Sequence, residues 1–406
     1  MNIKNGFKIG LGSLLILSQV AKAEETSSSS MGDIFKNGTT LLEVRGRYEF
    51  ADQEGRAQSK AYTVRTRLGF ETASLHGFKA LIEMEDVRSL GSISDYNPYP
   101  QTGRTVIADP KGTELNRLQL SYATGGSLLT LGRQRIILDG ARFVGNVGWR
   151  QNEQTFDALS FTDKTLQDWT FFYSYVDAVQ RIFGKDAPLP AQREFESDSH
   201  LANIQFSGIP QIKITAYGYF LDLENSIANS SRTIGMSAQG SQKITEDLSL
   251  KYTVEYAIQQ DYADNPNNYQ ADYLQGSLTA SWDIFDLGIG YELLGSDNGQ
   301  GFKTPLATLH KFNGWADTFL GTPAAGLEDI SVTLGFKLPH DTSAKIIYHQ
   351  FESDIGGLDF GDEWDAVLSH TINEKWKALA KYANYTGGSG GFSDNEKFWI
   401  QVEFKK

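Results

Sequence analysis

From Thr39 to the C-terminus the sequence alternates apolar and polar residues with a period of two, in runs of about ten to twelve residues. Leu42, Val44, Gly46, Tyr48 and Phe50 form one face of the first run, opposed by Glu43, Arg45, Arg47 and Glu49. Leu248, Leu250, Tyr252, Val254, Tyr256 and Ile258 repeat the pattern against Ser249, Lys251, Thr253, Glu255, Ala257 and Gln259. Run length is the strongest constraint here. Strands of soluble sheets are typically about five or six residues, whereas a tilted strand that crosses a bilayer needs about 9 to 11. Backbone groups in lipid must pair internally, so a spanning sheet has to close on itself.

About eighteen such segments can be marked, from 39–50 to 395–404, an even number within the range of bacterial outer-membrane barrels. Short polar links (Ser74 to His76, Gly125-Gly126, Gly208 to Pro210, Pro339 to Asp341) alternate with longer ones such as Ser89 to Gly112 and Asp261 to Asn268. Short turns at one end and long loops at the other are the barrel pattern. The last run places Phe398, Ile400, Val402 and Phe404 on one face and Trp399, Gln401 and Glu403 on the other, a strand suited to closing the sheet. The stretch Leu129, Leu131, Arg133, Arg135 mixes leucines and arginines on one face, so a bulge or an early strand end is expected there. The expectation is an all-β fold, a transmembrane antiparallel β-barrel of about eighteen strands.

The first 23 residues carry Lys4 and Lys8, a short apolar stretch from Ile9 to Val20, and Ala21-Lys22-Ala23 as a small-x-small cleavage site. They are expected to be a signal peptide. Residues 24–38, with Ser27 to Ser30, are expected to be a polar tether, and 39–406 the barrel. The formal charge is −13, and it becomes −16 once Lys4, Lys8 and Lys22 are removed with that segment. A nucleic-acid partner is not expected, because binding phosphates needs basic blocks and none is present. Zero cysteines excludes disulfides, thiolate nucleophiles and Cys-ligated metal sites. No zinc-protease, nucleophile-elbow or P-loop pattern occurs, so neither an enzyme nor a cofactor is expected.

Two stretches break the strand pattern. Residues 131–145 (LGRQRIILDGARFVG) continue to Trp149, Arg150, Gln151, Asn152, Thr155, Phe156 and Asp157; residues 302–317 (FKTPLATLHKFNGWAD) continue to Phe319, Pro323, Gly326, Leu327 and Asp329. With the strand order, these blocks make the chain resemble the alginate export porin family. That resemblance implies an outer-membrane barrel of eighteen strands that passes solutes.

The arginines carry the chemical expectation. Arg45 and Arg47 on the first strand, Arg65 and Arg67 on the second, and Arg117 further on share the lumen-facing parity. Lys375, Lys377, Lys381 and Lys397 join them once the barrel closes. Arg133, Arg135, Arg142 and Arg150 crowd the first irregular block. Guanidinium groups grip carboxylate and phosphate through forked, charge-assisted hydrogen bonds, so all nine arginines are candidate pore-lining, solute-binding residues. Pairing with Asp139, Asp157, Glu83 or Glu85 would make them struts of an inward-folded loop instead, and both roles are open. Asp286, Glu292, Glu363 and Asp365 supply the opposite sign across the lumen. His310 and Asp317 fit loop packing better than a metal site, because no second histidine lies at ligand spacing.

The expected function is passive diffusion of small hydrophilic solutes across the outer membrane, anionic ones or uronate-type saccharides favoured. The expected partners are outer-membrane lipid and those solutes. An anionic-polysaccharide exporter, a non-conducting barrel acting as an adhesin or assembly partner, and an outer-membrane hydrolase are the alternatives.

Overall fold

The computed structural model describes residues 30–100 and 103–406, so the expected signal peptide lies outside the described residues. The alternation becomes eighteen antiparallel strands in one closed sheet. Each barrel strand pairs with the next in sequence, and the first, Thr39–Gln53, closes on the last, Asn395–Lys405, with Gly46 opposite Val402 and Tyr48 opposite Ile400. Closure leaves no unpaired edge, which is what a sheet in hydrocarbon requires. Strands run from 8 residues (Ser127–Gln134) to 16 (Glu194–Ile209). The expected segment 231–243 coincides with its strand, Ser231–Lys243.

Parity follows the alternation. Val254 and Ile400 are 57% and 49% exposed on the outside, while Ala257 and Trp399 on the opposite face are fully covered. Aromatic pairs frame the apolar outer band. Trp376 meets Phe404 at 5.0 Å and Phe285 meets Phe336 at 5.7 Å at the short-turn end. Tyr48 meets Tyr62 at 4.6 Å and Tyr348 meets Trp364 at 4.9 Å nearer the long loops. Rings of this kind suit the two bilayer interfaces, so the outer surface is that of a membrane-spanning barrel.

Two local features differ from the sequence expectation, and a third, the early end of the fifth strand, follows it. The tether ends in a short helix, Met31–Lys36, because Ser30 caps it by accepting from the Asp33 N–H at 3.3 Å and Ile34 is buried. Its Ile34 carbonyl also takes the Ala73 N–H at 3.0 Å, pinning it to the rim. The fifth strand stops at Gln134, so Arg133 still follows strand parity while Arg135 does not. A bulge opposite Glu83 and Met84 inserts Asn116, which places Asn116 and Arg117 together on the lumen side.

The segments after the fifth and thirteenth strands, residues 135–154 and 295–326, fold into the lumen. Val144 and Leu306 form a parallel bridge, with the Gly145 N–H donating to the Leu306 carbonyl at 2.9 Å. Around this junction Phe143 packs on Tyr273 at 5.0 Å, Tyr217 at 5.6 Å and Phe302 at 5.7 Å. The apolar core therefore lies inside the barrel, built from two inward segments and the wall. Together the two segments form a crossbar.

Candidate functional site

Strand register decides where the arginine charge can go. Arg45 lies directly opposite Arg65, and Glu43 directly opposite Arg67. Like charges facing across a ladder repel, so each guanidinium needs a carboxylate from elsewhere. Arg45 takes Glu403 at 3.2 Å, Arg65 takes Glu43 at 3.1 Å, and Arg67 reaches both Glu85 and Glu43. Arg117 grips Glu83 with two bonds of 2.9 and 2.7 Å, and Arg135 turns inward beyond its strand to hold Glu153. Arg65 Nε and Nη1 and Arg67 Nη2 nevertheless find no hydrogen-bond partner among the described residues.

A second group of arginines carries the crossbar. Arg45 Nη1 donates to the carbonyl oxygens of Gly148, Trp149 and Arg150 at 3.1 to 3.3 Å. Arg47 Nη2 donates to the Trp149 carbonyl and to Gln401, both at 2.6 Å. Arg150 holds both oxygens of Glu49 at 3.0 Å and Asp317 at 2.7 Å, and Arg142 binds Glu292 at 2.6 Å. These bonds cross-link two loops and the wall.

The far side of the crossbar is fastened around a histidine. His310 Nδ1 lies 2.6 Å from Asp317 Oδ1, and Lys381 Nζ lies 2.7 Å from His310 Nε2. A neutral imidazole donating from Nδ1 and accepting at Nε2 satisfies both contacts. The Lys381 ammonium is boxed by Trp315 at 3.6 Å, Trp149 at 4.3 Å and Trp399 at 5.4 Å from the ring centroids. Burial lowers the proton affinity of His310, Asp317 pulls it back, and Lys381 and Arg150 lower it again, leaving it well below the usual histidine range. Burial alone would raise Asp317, but His310, Lys397 and Arg150 outweigh it and hold the carboxyl well below its ordinary value.

Below the crossbar, on the short-turn side, lies a vestibule of about 1180 Å³. Arg45, Arg67, Arg117, Arg135 and Arg142 line it, and Glu255, Glu292, Asp329 and His349 face them from other strands. Ile136, Ile137, Leu138 and Phe312 give it an apolar roof. Arg47, Arg65 and Arg150 are buried behind this lining. Arg133 is not in the lumen. It shares the outward face of Leu129 and Leu131 and pairs with Asp157 at 2.7 Å in an acidic hollow with Glu194, Glu196 and Asp198. Its pore-lining assignment fails because strand parity persists through Gln134, whose side chain is buried inward.

His310 and Asp317 pack a loop, as expected. The residues that sequence reasoning passed over are Glu153, which takes Arg135, and the tryptophan box. Three tryptophans at inward or irregular positions, in a chain whose Trp282, Trp364 and Trp376 face outward, are the sequence signal for the box.

No family model and no curated relative matches the chain. Solved structures do. OccAB4 of Acinetobacter baumannii is 12% identical, with 95% of this chain and 99% of that one covered and a TM-score of 0.74. OccAB2 of the same organism is 15% identical, with 92% and 99% covered and a TM-score of 0.71. OpdK of Pseudomonas aeruginosa, solved with vanillate, is 14% identical over 92% and 99% with a TM-score of 0.71. The likeness is one of fold. It is the architecture of an outer-membrane barrel, and the resemblance to the alginate export family finds no support in these comparisons.

Proposed function

We propose that the chain is an outer-membrane porin through which small hydrophilic solutes diffuse passively, with anions favoured. The observation that carries the reading is a closed barrel, apolar outside, whose polar vestibule is narrowed by inward segments rather than filled along its whole length. Such a lumen selects by size and by the charge of its walls. No covalent step is involved. The guanidinium groups of Arg67, Arg117, Arg135 and Arg142 on the vestibule wall support the anionic preference, as does the vanillate, a carboxylate, in the OpdK structure of the same fold. Uronate-type saccharides are one class with the required charge and polarity.

One observation favours a second reading. The apolar packing of Phe143, Tyr273 and Phe302 in the crossbar would suit a barrel that does not conduct and serves adhesion or assembly. Reconstitution in a planar bilayer separates the two. Discrete single-channel steps, with a reversal potential of anion-selective sign in a salt gradient, are expected; a silent membrane containing folded protein would establish the second reading.

A further inference from the structure

Both ring nitrogens of His310 are committed, and to partners of opposite charge. Nδ1 faces the Asp317 carboxylate at 2.6 Å, while Nε2 faces the Lys381 ammonium at 2.7 Å. An ammonium has three donors and no lone pair, so this contact exists only while Nε2 has a free lone pair to accept with. The imidazole also lies flat on Trp149 at 4.5 Å and edge-on to Trp399 at 5.5 Å, so it cannot turn away without disturbing the tryptophan box. Ring and lysine are both buried.

We propose that His310 is a proton-operated latch on the crossbar. A proton taken up at Nε2 uses the lone pair that accepts from Lys381, leaving two cationic N–H groups face to face. Relief comes from withdrawing residues 309–317 from the barrel wall, and this rests on the porin reading only for its effect on conductance.

The surrounding charges leave few other sites for the added proton's charge to be compensated. Asp317, on the same segment, already serves Lys397 at 2.8 Å and Arg150 at 2.7 Å. Arg150, on the other inward segment, is a cation committed to Glu49. The penultimate strand contributes Lys381 itself and the last strand Lys397. Asp365 and Glu363 act on Lys381 from the neighbouring strand, but accept the Trp315 and Ala316 N–H groups at 3.2 and 2.7 Å. The first strand adds Arg47, a further cation acting on Lys381. A positive charge on the ring therefore meets four nearby cations, Lys381, Lys397, Arg150 and Arg47, while Asp317 and one oxygen each of Asp365 and Glu363 are already engaged. The segment it would release is held to this side of the wall by these same groups, with the Asn395 side-chain amide donating to the Ala316 carbonyl at 2.7 Å.

The test is hydrogen exchange on the full-length folded protein in lipid or detergent, at pH about 7 and about 4, corrected for intrinsic exchange. Peptides spanning 309–317 should lose about tenfold or more of their protection in acid, while the strand Leu248–Asp261 keeps its own. His310→Gln should abolish that loss. Lys381→Met removes the opposing cation, so the transition should move upward toward the usual histidine value of about 6.5. An unchanged acid transition in His310→Gln overturns the latch; if that variant fails to fold, an unmoved midpoint in Lys381→Met does so instead. Conductance recorded in parallel should rise in acid in the wild type. Exchange that responds to pH in a protein that carries no current at either pH would uphold the latch and overturn the porin reading.

Discussion

Arg47 lies over the ring of Trp149, 4.2 Å from its centroid, and donates to the main-chain carbonyl of the same residue at 2.6 Å. One side chain thus fixes a loop tryptophan by both its ring and its backbone. The guanidinium plane suits stacking while its edge donates, a combination an ammonium cannot reproduce. Much of the basic arc is spent in this way, holding the crossbar rather than meeting solute.

Arg47→Gln should therefore loosen the crossbar without disrupting the barrel. Single-channel recording is expected to show larger and noisier steps than the wild type, with heat-modifiable gel mobility retained. Arg47→Lys should restore the charge and not the quiet baseline, since stacking and forked donation are both lost. Identical traces for all three proteins would show that Arg47 does not hold the loop.

The outer face provides a sharper energetic test. Val254 and Ile400 project into the apolar band near mid-strand, so Val254→Arg or Ile400→Arg should cost about 2 to 4 kcal/mol in reversible unfolding from lipid. Thr253 lines the vestibule, and Thr253→Arg should be mild. Equal losses at 253 and 254 would contradict the assignment of faces.

The barrel was legible because lipid and lumen impose opposite chemistry on alternate residues, and runs such as Leu248 to Gln259 carry that contrast for their full length. The site was legible only in part. That Arg45 and Arg47 face inward follows from parity alone, but Arg45 donates to a carbonyl 103 residues away in sequence, and no local pattern encodes such a contact. Arg133 shows the converse limit. Proximity to Arg135, Arg142 and Arg150 in sequence suggested one cluster, whereas a strand that keeps its parity as far as Gln134 sends Arg133 to the outer surface. The helix Met31–Lys36 had a cap signal in Ser30 and Asp33 that a serine-rich composition obscured.

Acid should weaken the crossbar by two linked titrations of the same sign. His310 binds its proton less readily when folded, so the unfolded chain takes up that proton first and stability falls as pH drops below about 6.5, until the folded ring is also protonated. Asp317 is depressed when folded, so its contribution is complete above the ordinary carboxylate value of about 3.9 and is lost as pH falls from there through the folded value. The midpoint of heat-modifiable mobility should fall in two stages on acidification. Asp317→Asn should lower the neutral-pH midpoint and remove the more acidic stage, and a single stage in the wild type at the Asp317 window alone would show that His310 contributes nothing.

Ion preference tests the arginines that do reach the vestibule. Arg67 and Arg117 line it, each beside carboxylates that would be left uncompensated if the guanidinium were lost: Glu43, Glu85 and Glu153 around Arg67, and Glu83 beside Arg117. Arg67→Gln combined with Arg117→Gln therefore removes two positive charges and unmasks negative ones in the same wall. In a narrow lumen such charges act within a Debye length of about 8 to 10 Å, so the effect should be large in dilute salt and fade in concentrated salt. The expected result is a reversal potential that moves from anion-selective toward cation-selective in the double variant. Arg133→Gln is the internal control, because that side chain pairs with Asp157 on the outer face and should leave the reversal potential at the wild-type value. If Arg133→Gln shifts selectivity as much as the double variant does, the charge seen by permeating ions lies at the mouth of the barrel and the arginine wall is a structural ladder.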